Sequence, residues 1–182
     1  MLTVTFIRHG ESEDNLRGVW AGWKDAPLSA LGPDLTFIHL QQAYALGQRF
    51  KTVNLDAIYS SDLKRAHSTA LALNDARPAE QQIPLTVNPK LREQHFGIAE
   101  GHKWALHPPL GISLEELFEQ GIYPVLPGRD AKYPEGESLN DLAKRCEEAL
   151  RECVLPHLNT RLNSDGTAKN SHIAITSHGL CI

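Results

Sequence analysis

The sequence predicts an α/β fold, a three-layer sandwich in which a mainly parallel sheet lies between helices on both faces. Short apolar runs with strand composition alternate with segments of helical period, as expected for strands joined by crossover helices. The strand-like runs are apolar at odd and even positions alike, as strands are when both faces of a sheet are covered. The chain has 182 residues, 41% hydrophobic and 22% charged, enough for one domain with a substantial core.

The first strand is "TVTFI" (3–7), rich in β-branched residues. "QQAYALGQRF" (41–50) comes next as a helix with Ala43, Leu46, Gly47 and Phe50 on one stripe. "LDAIYSS" (55–61) is the second strand, "DLKRAHSTALALN" (62–74) the next helix and "IPLTVNP" (83–89) the third strand. In "SLNDLAKRCEEALRECVLPHL" (138–158), Leu139, Leu142, Ala143, Cys146, Ala149, Leu150 and Cys153 recur at three and four, and Ser138 with Asp141 forms a capping-box start. "HIAITS" (172–177) is the fourth strand. The stretch 95–136 is interrupted by Pro108, Pro109, Pro124, Pro127, Pro134 and several glycines. It reads as an excursion or lid over the sheet edge, within a single domain spanning 1–182.

Composition excludes several functions. A net charge of −4 without a basic stripe argues against a nucleic-acid binder. The N-terminus lacks a basic region, its apolar run breaks at Arg8, and no window approaches ~20 apolar residues, so neither a signal peptide nor a membrane partner is expected. The three cysteines form no C-x-x-C pair. Cys146 and Cys153 lie roughly 10 Å apart by helical rise, too far to bridge, and the expectation is a cytoplasmic protein with reduced thiols. No G-x-x-x-x-G-K-[ST] loop is present, and the spacing of His95, His102 and His107 matches neither a zinc finger nor H-E-x-x-H, so no metal and no cofactor is expected.

Strand ends carry the chemistry, because ligands of parallel sheets gather beyond the carboxyl ends of the strands. The first strand delivers Arg8-His9-Gly10-Glu11-Ser12; the second runs into "SSDLKR", placing Arg65 in the first turn of a helix; the fourth ends in Ser177-His178-Gly179. Two arginines and two histidines on one edge suit a phosphate, since a guanidinium pairs two phosphate oxygens at once. Taken alone, Arg65 could simply pair with Asp62, and Glu11 and Glu13 read as solvated first-turn acids.

"RHGES" with Asn15, "SSDLKRAHSTA", "LREQHFGIAEG", "PEGESL" and "TSHG", in that order, resemble the histidine phosphatase superfamily, also called phosphoglycerate-mutase-like. The resemblance runs from residue 4 to the end and implies that fold. It also implies that His9 is a nucleophile that becomes phosphohistidine, that Arg8, Asn15, Arg65 and His178 hold the phosphoryl oxygens, and that Glu93 donates the proton, with Glu100 the nearby alternative. Ala21 and Gly22 match a substrate-touching loop of the mutase branch. The substrate implied is a small phosphorylated metabolite.

Within the family the sequence favours a phosphatase. "LRGVWAGWKDAPLS" looks mutase-like, but the middle insertion holds only Arg129 and Lys132 where mutases carry an arginine pair. A phosphoglycerate mutase or a sugar bisphosphatase is the alternative. Two departures from the family pattern stand out: "PDLTFIHLQ" (33–41) reads as an inserted segment, and the chain stops at Ile182, where the family continues with another helix. They suggest a third reading, a truncated or splice-variant form that binds phosphate with impaired catalysis.

Overall fold

The computed structural model describes residues 1–28, 42–108, 111–158 and 170–182. The segment 33–41 therefore lies outside the described residues.

Four strands make the main sheet: β1 (Leu2–Arg8), β2 (Ala57–Ser60), β3 (Leu85–Val87) and β6 (Ser171–Ser177). Their order is β1-β6-β2-β3, and every pairing is parallel. Side chains alternate across the pleat, which sorts the core into two layers. On one face Ile7, Ile58 and Ala174 pack with Ala70 and Leu73 of α3 (Lys64–Asp75), joined by Leu46 and Phe50 of α2 (42–50). On the other, Ala57, Ile173 and Ile175 pack with Ala149 and Cys153 of α5 (Leu139–Leu158). These are the three layers expected. Helix α5 starts with the reciprocal bonds foreseen between Ser138 and Asp141, each side chain accepting the other's amide at 3.1 Å.

The expectation of strands covered on both faces holds for β6 but not for β1. As an edge strand of the sheet, β1 leaves Phe6 45% exposed. The stretch 95–136 also has more regular structure than its prolines suggest. It contains β4 (Lys103–Ala105), α4 (Leu114–Glu119) and β5 (Ile122–Pro124), with β4 and β5 paired in parallel. Phe96, Ala99 and Tyr133 form its own small core, with Trp20, Phe118, Tyr123 and Leu126 packed around them. Trp20 comes just after α1 (Glu13–Arg17) and lies 4.2 Å from the Phe96 ring, so the excursion is fastened to the segment that continues from the first strand end. Among the described residues, no helix is long and apolar enough to cross a membrane.

Candidate active site

Parallel register brings the functional strand ends level. Arg8 pairs with Ser177 and Ser60 with Thr176, and backbone bonds of 3.0 Å from His9 to Ser177 and from Ser61 to Thr176 continue the ladder beyond the strands. His9 and His178 thus sit side by side, their ring centroids 5.0 Å apart, both buried.

The His9 tautomer is set by its partners. Nδ1 lies 2.6 Å from the Gly10 carbonyl oxygen, which can only accept, so Nδ1 carries the proton and Nε2 keeps its lone pair. Arg65 Nε donates to that lone pair at 3.3 Å. Burial pushes the His9 pKa from 6.5 down to about 4; the Gly10 bond opposes this, while the charges of Arg65 and Arg8 add to it. His178 is pushed down to about 2, by burial first and by Arg65 next. Its Nε2 lies 2.9 Å from Ser61 Oγ, and its Nδ1 is buried with no partner among the described residues.

Arg65 is fully buried at the start of α3, where its side chain points back under the loop after α1. Its Nη1 donates to Lys24 O at 2.9 Å and its Nη2 to Gly22 O at 2.7 Å. The pairing with Asp62 that sequence proximity suggests does not occur: Asp62 takes a two-pronged bond from Arg92, at 2.7 and 2.5 Å. Arg8 is exposed on the wall of the pocket. Asn15 completes a capping box, its Oδ1 accepting both the amide and the hydroxyl of Ser12 at 3.0 Å. This fixes the plane of the amide and leaves its NH₂ end for other partners.

Glu100 is the clamp for the loop containing Ala21 and Gly22. Its Oε1 accepts the amides of Trp23 at 2.8 Å and Phe96 at 3.1 Å, and its Oε2 accepts that of Lys24 at 3.1 Å. Glu100 thus serves the backbone of this loop, whereas Glu93 lines the cavity. Gly22 lies against it with φ +48, where a Cβ would fall 2.0 Å from Glu100 Oε1. Only glycine fits there without displacing the carboxylate.

Glu93 is held from several sides. Its carbonyl accepts Trp23 Nε1 at 2.8 Å and Arg145 Nη2 at 3.0 Å, and its Oε1 accepts the amides of Gln94 at 3.0 Å and Leu180 at 3.3 Å. Burial nevertheless raises its pKa, outweighing those amides and the charges of Arg65 and Arg8. The supports Trp23, Glu137 and Arg145 are not assigned by the sequence. Glu137 lies in the quoted "PEGESL" block, and it pairs with Arg145 Nη2 at 2.6 Å, so the block's order is a usable signal. Trp23 gives none.

These groups face a cavity of about 520 Å³. Its wall includes Arg8, His9, Asn15, Ala21, Gly22, Arg65 and Glu93, so seven of the eight residues named from sequence share it; His178 is buried beside His9. The wall also carries an apolar set, Val19, Trp20, Phe96, Trp104, Val125, Leu126 and Tyr133, together with Lys132. Of the histidines considered for a metal, His95 bonds the Glu135 carbonyl and His102 packs on Tyr123, 4.8 Å between centroids.

A buried histidine at a strand end thus shares its cavity wall with two guanidinium groups and a carboxyl of raised pKa, an arrangement suited to holding a phosphate. The chain belongs to the histidine phosphatase superfamily (branch 1), whose model matches residues 4–182. It is 33% identical over 170 residues to a Proteus mirabilis protein named probable phosphoglycerate mutase GpmB, covering 92% of this chain and 71% of that one. It spans 64% of the Yersinia pestis protein of the same name, less than two thirds of its length. Among solved structures, Bacillus stearothermophilus YhfR superposes with a TM-score of 0.69 at 25% identity, covering 100% of this chain and 76% of the other.

Proposed function

We propose that this chain is a phosphomonoester hydrolase that works through a phosphohistidine on His9. The observation that carries the reading is the Nδ1 bond of His9 to the Gly10 carbonyl, which leaves the Nε2 lone pair aimed among cations. In the proposed cycle a phosphomonoester enters with its phosphoryl oxygens toward Arg8, Arg65 and the Asn15 amide. Arg65 shifts its Nε–H from the histidine to an oxygen, and the freed lone pair attacks phosphorus. His178 adds a donor: Ser61 Oγ already accepts the Leu63 amide at 3.3 Å, so its own proton is free for His178 Nε2. The orphan Nδ1 then carries a proton for a phosphoryl oxygen. Glu93, whose protonated form burial favours, gives its proton to the departing oxygen. In the second step it takes one from the water that attacks phosphohistidine, and His9 is restored.

A hydrolase is favoured over a mutase by the rest of the cavity wall. A mutase substrate brings a second anion, yet Arg129 does not line the cavity and Lys132, which does, is paired with Asp141 at 3.2 Å. The remaining wall there is apolar, which suits a phosphomonoester with an uncharged, largely apolar organic group. The mutase reading is kept alive by the name of the Proteus relative.

One experiment separates these readings. The protein is mixed with a phenyl phosphate and quenched in alkali, which preserves phosphohistidine, and the peptide containing His9 is weighed. A phosphoryl adduct on His9, lost with His9→Asn together with phosphate release, is expected. Release that survives in His9→Asn refutes the mechanism. Interconversion of phosphoglycerates faster than their hydrolysis refutes the hydrolase assignment while leaving the phosphohistidine intact.

A further inference from the structure

The structure brings together two thiols that sequence spacing does not pair. Cys146 Sγ, on α5, lies 3.0 Å from Cys181 Sγ, in the turn after β6; both are half-buried and neither is in a disulfide. Spacing along one helix compares only Cys146 with Cys153. Cys153 instead faces the core on that helix, 1% exposed.

The pair sits behind Glu93. The residue before Cys181 is Leu180, whose amide donates to Glu93 Oε1. The residue before Cys146 is Arg145, which donates to the carbonyls of Lys90, Arg92 and Glu93 and pairs with Glu137. The turn is held by a backbone bond of 3.2 Å from Ile182 to His178, by the Leu180 contact and by Cys181 packed against the core of Ile173 and Ile175. A covalent link between these sulfurs joins two segments that grip the same carboxyl residue.

We propose that Cys146 and Cys181 are a reversible disulfide site that latches the turn after β6 onto α5, next to Glu93. The roles of the two sulfurs differ. Cys146 donates to Cys181, which, with a contact from Ser177 and the charge of Arg145, pulls the Cys181 thiol down against burial. Cys146 is pushed up, first by that same bond and then by burial. Cys181, in the terminal turn and beside the Arg145 charge, is taken as the first sulfur to attack. With a small-molecule disulfide such as oxidised glutathione as oxidant, the Cys181 thiolate attacks one sulfur, and the S–S bond breaks to release one glutathione thiolate. Cys146 then loses its proton and attacks Cys181 Sγ in the mixed disulfide, expelling the second glutathione. Two thiol protons and two electrons leave the protein, and one disulfide becomes two thiols.

The test treats the folded protein with oxidised glutathione, blocks the remaining thiols with N-ethylmaleimide and maps the non-reduced digest by mass. Of the three cysteines, only one should remain titratable after oxidation, with a Cys146–Cys181 peptide as the main cross-link and full reversal by dithiothreitol. Cys146→Ser should stop at a mixed disulfide on Cys181. Amide exchange across residues 178–182 should slow in the oxidised wild type and not in that variant. A stable glutathione adduct on wild-type Cys181, a cross-link through Cys153 or between two chains, or unchanged exchange in the cross-linked form would each overturn the proposal.

Discussion

Replacing Gly22 by alanine tests how the loop after α1 is held over Arg65. The new Cβ falls 2.0 Å from Glu100 Oε1, at a backbone φ of +48. Left-handed backbone costs a non-glycine residue about 1–2 kcal/mol. The carboxylate must also move, and Oε1 is the acceptor for the amides of Trp23 and Phe96. Leaving one buried amide unsatisfied adds about 1–3 kcal/mol, for a total of about 2–5 kcal/mol. Gly18 supplies the control, since its φ is +64 but its Cβ would meet nothing within 4 Å. Gly18→Ala should therefore cost only the backbone portion, about 1–2 kcal/mol. Urea unfolding of both variants measures the difference. In a Glu100→Ala background the clash is gone, so Gly22→Ala should fall to the Gly18 cost, a non-additivity of about 1–3 kcal/mol. Because the Gly22 and Lys24 carbonyls hold the Arg65 guanidinium, turnover should fall in Gly22→Ala and stay near wild type in Gly18→Ala. Equal costs at the two glycines, or strict additivity with Glu100→Ala, refutes the clamp.

Titration supplies two further expectations. His9 has a folded pKa of about 4, below its ordinary 6.5, so the native state binds fewer protons than the unfolded chain. Stability should fall as pH drops from about 6.5 through about 4, and NMR should find the His9 ring neutral until the lower value; a ring that titrates near 6.5 contradicts the burial argument. Glu93 is shifted the other way, so its contribution is lost as pH rises through its folded pKa, and the charged form is a burden at neutral pH. Glu93→Gln should raise the melting midpoint at neutral pH, by an amount that shrinks on acidification, while slowing esters with poor leaving groups far more than nitrophenyl phosphate. A uniform loss on both esters moves the proton donor elsewhere. Finally, Trp104 is 50% exposed on the apolar wall. If an aryl substrate covers about 60 Å² of it, Trp104→Ala should raise KM about tenfold, from about 25 cal/mol per Å². Inhibition by inorganic phosphate, which on the proposed reading sits at Arg8 and Arg65, should not change; an unaltered KM rules out contact with that wall.

Legibility in the sequence divides along a physical line. The strands that form the sheet are legible because their apolar runs are long enough to carry a pattern. His9 and His178 are legible because parallel strands all point the same way, so the residues just past their carboxyl ends meet at one edge. Side-chain partnership is not. Asp62 lies three residues from Arg65 yet bonds Arg92, thirty residues on, because Arg65 turns inward under the loop. Glu100 sits in the same block as Glu93 but caps backbone amides, a role that depends on a loop far away in sequence. The strands β4 and β5 are no shorter than β3 but lack an apolar run: β4 opens on Lys103, β5 ends on Pro124, and prolines break the stretch around them. The partner of Cys146 is hidden for the same reason as that of Asp62: the contact is made by the fold alone.

The strand order has a consequence for how such a chain comes to life during synthesis. β6 lies between β1 and β2, although it is made more than a hundred residues after both. Until it emerges, the first strand has no neighbour in the main sheet, and the histidine at its end waits in an unfinished edge. Insertion of a central strand so late gives the sheet its most distant contacts, the kind that slow folding and lengthen exposure of apolar edges. The same event sets His178 beside His9. Assembly of the sheet and completion of the proposed site are thus one step, and a nascent chain that has yet to emit its 171–177 segment has no His178 beside His9.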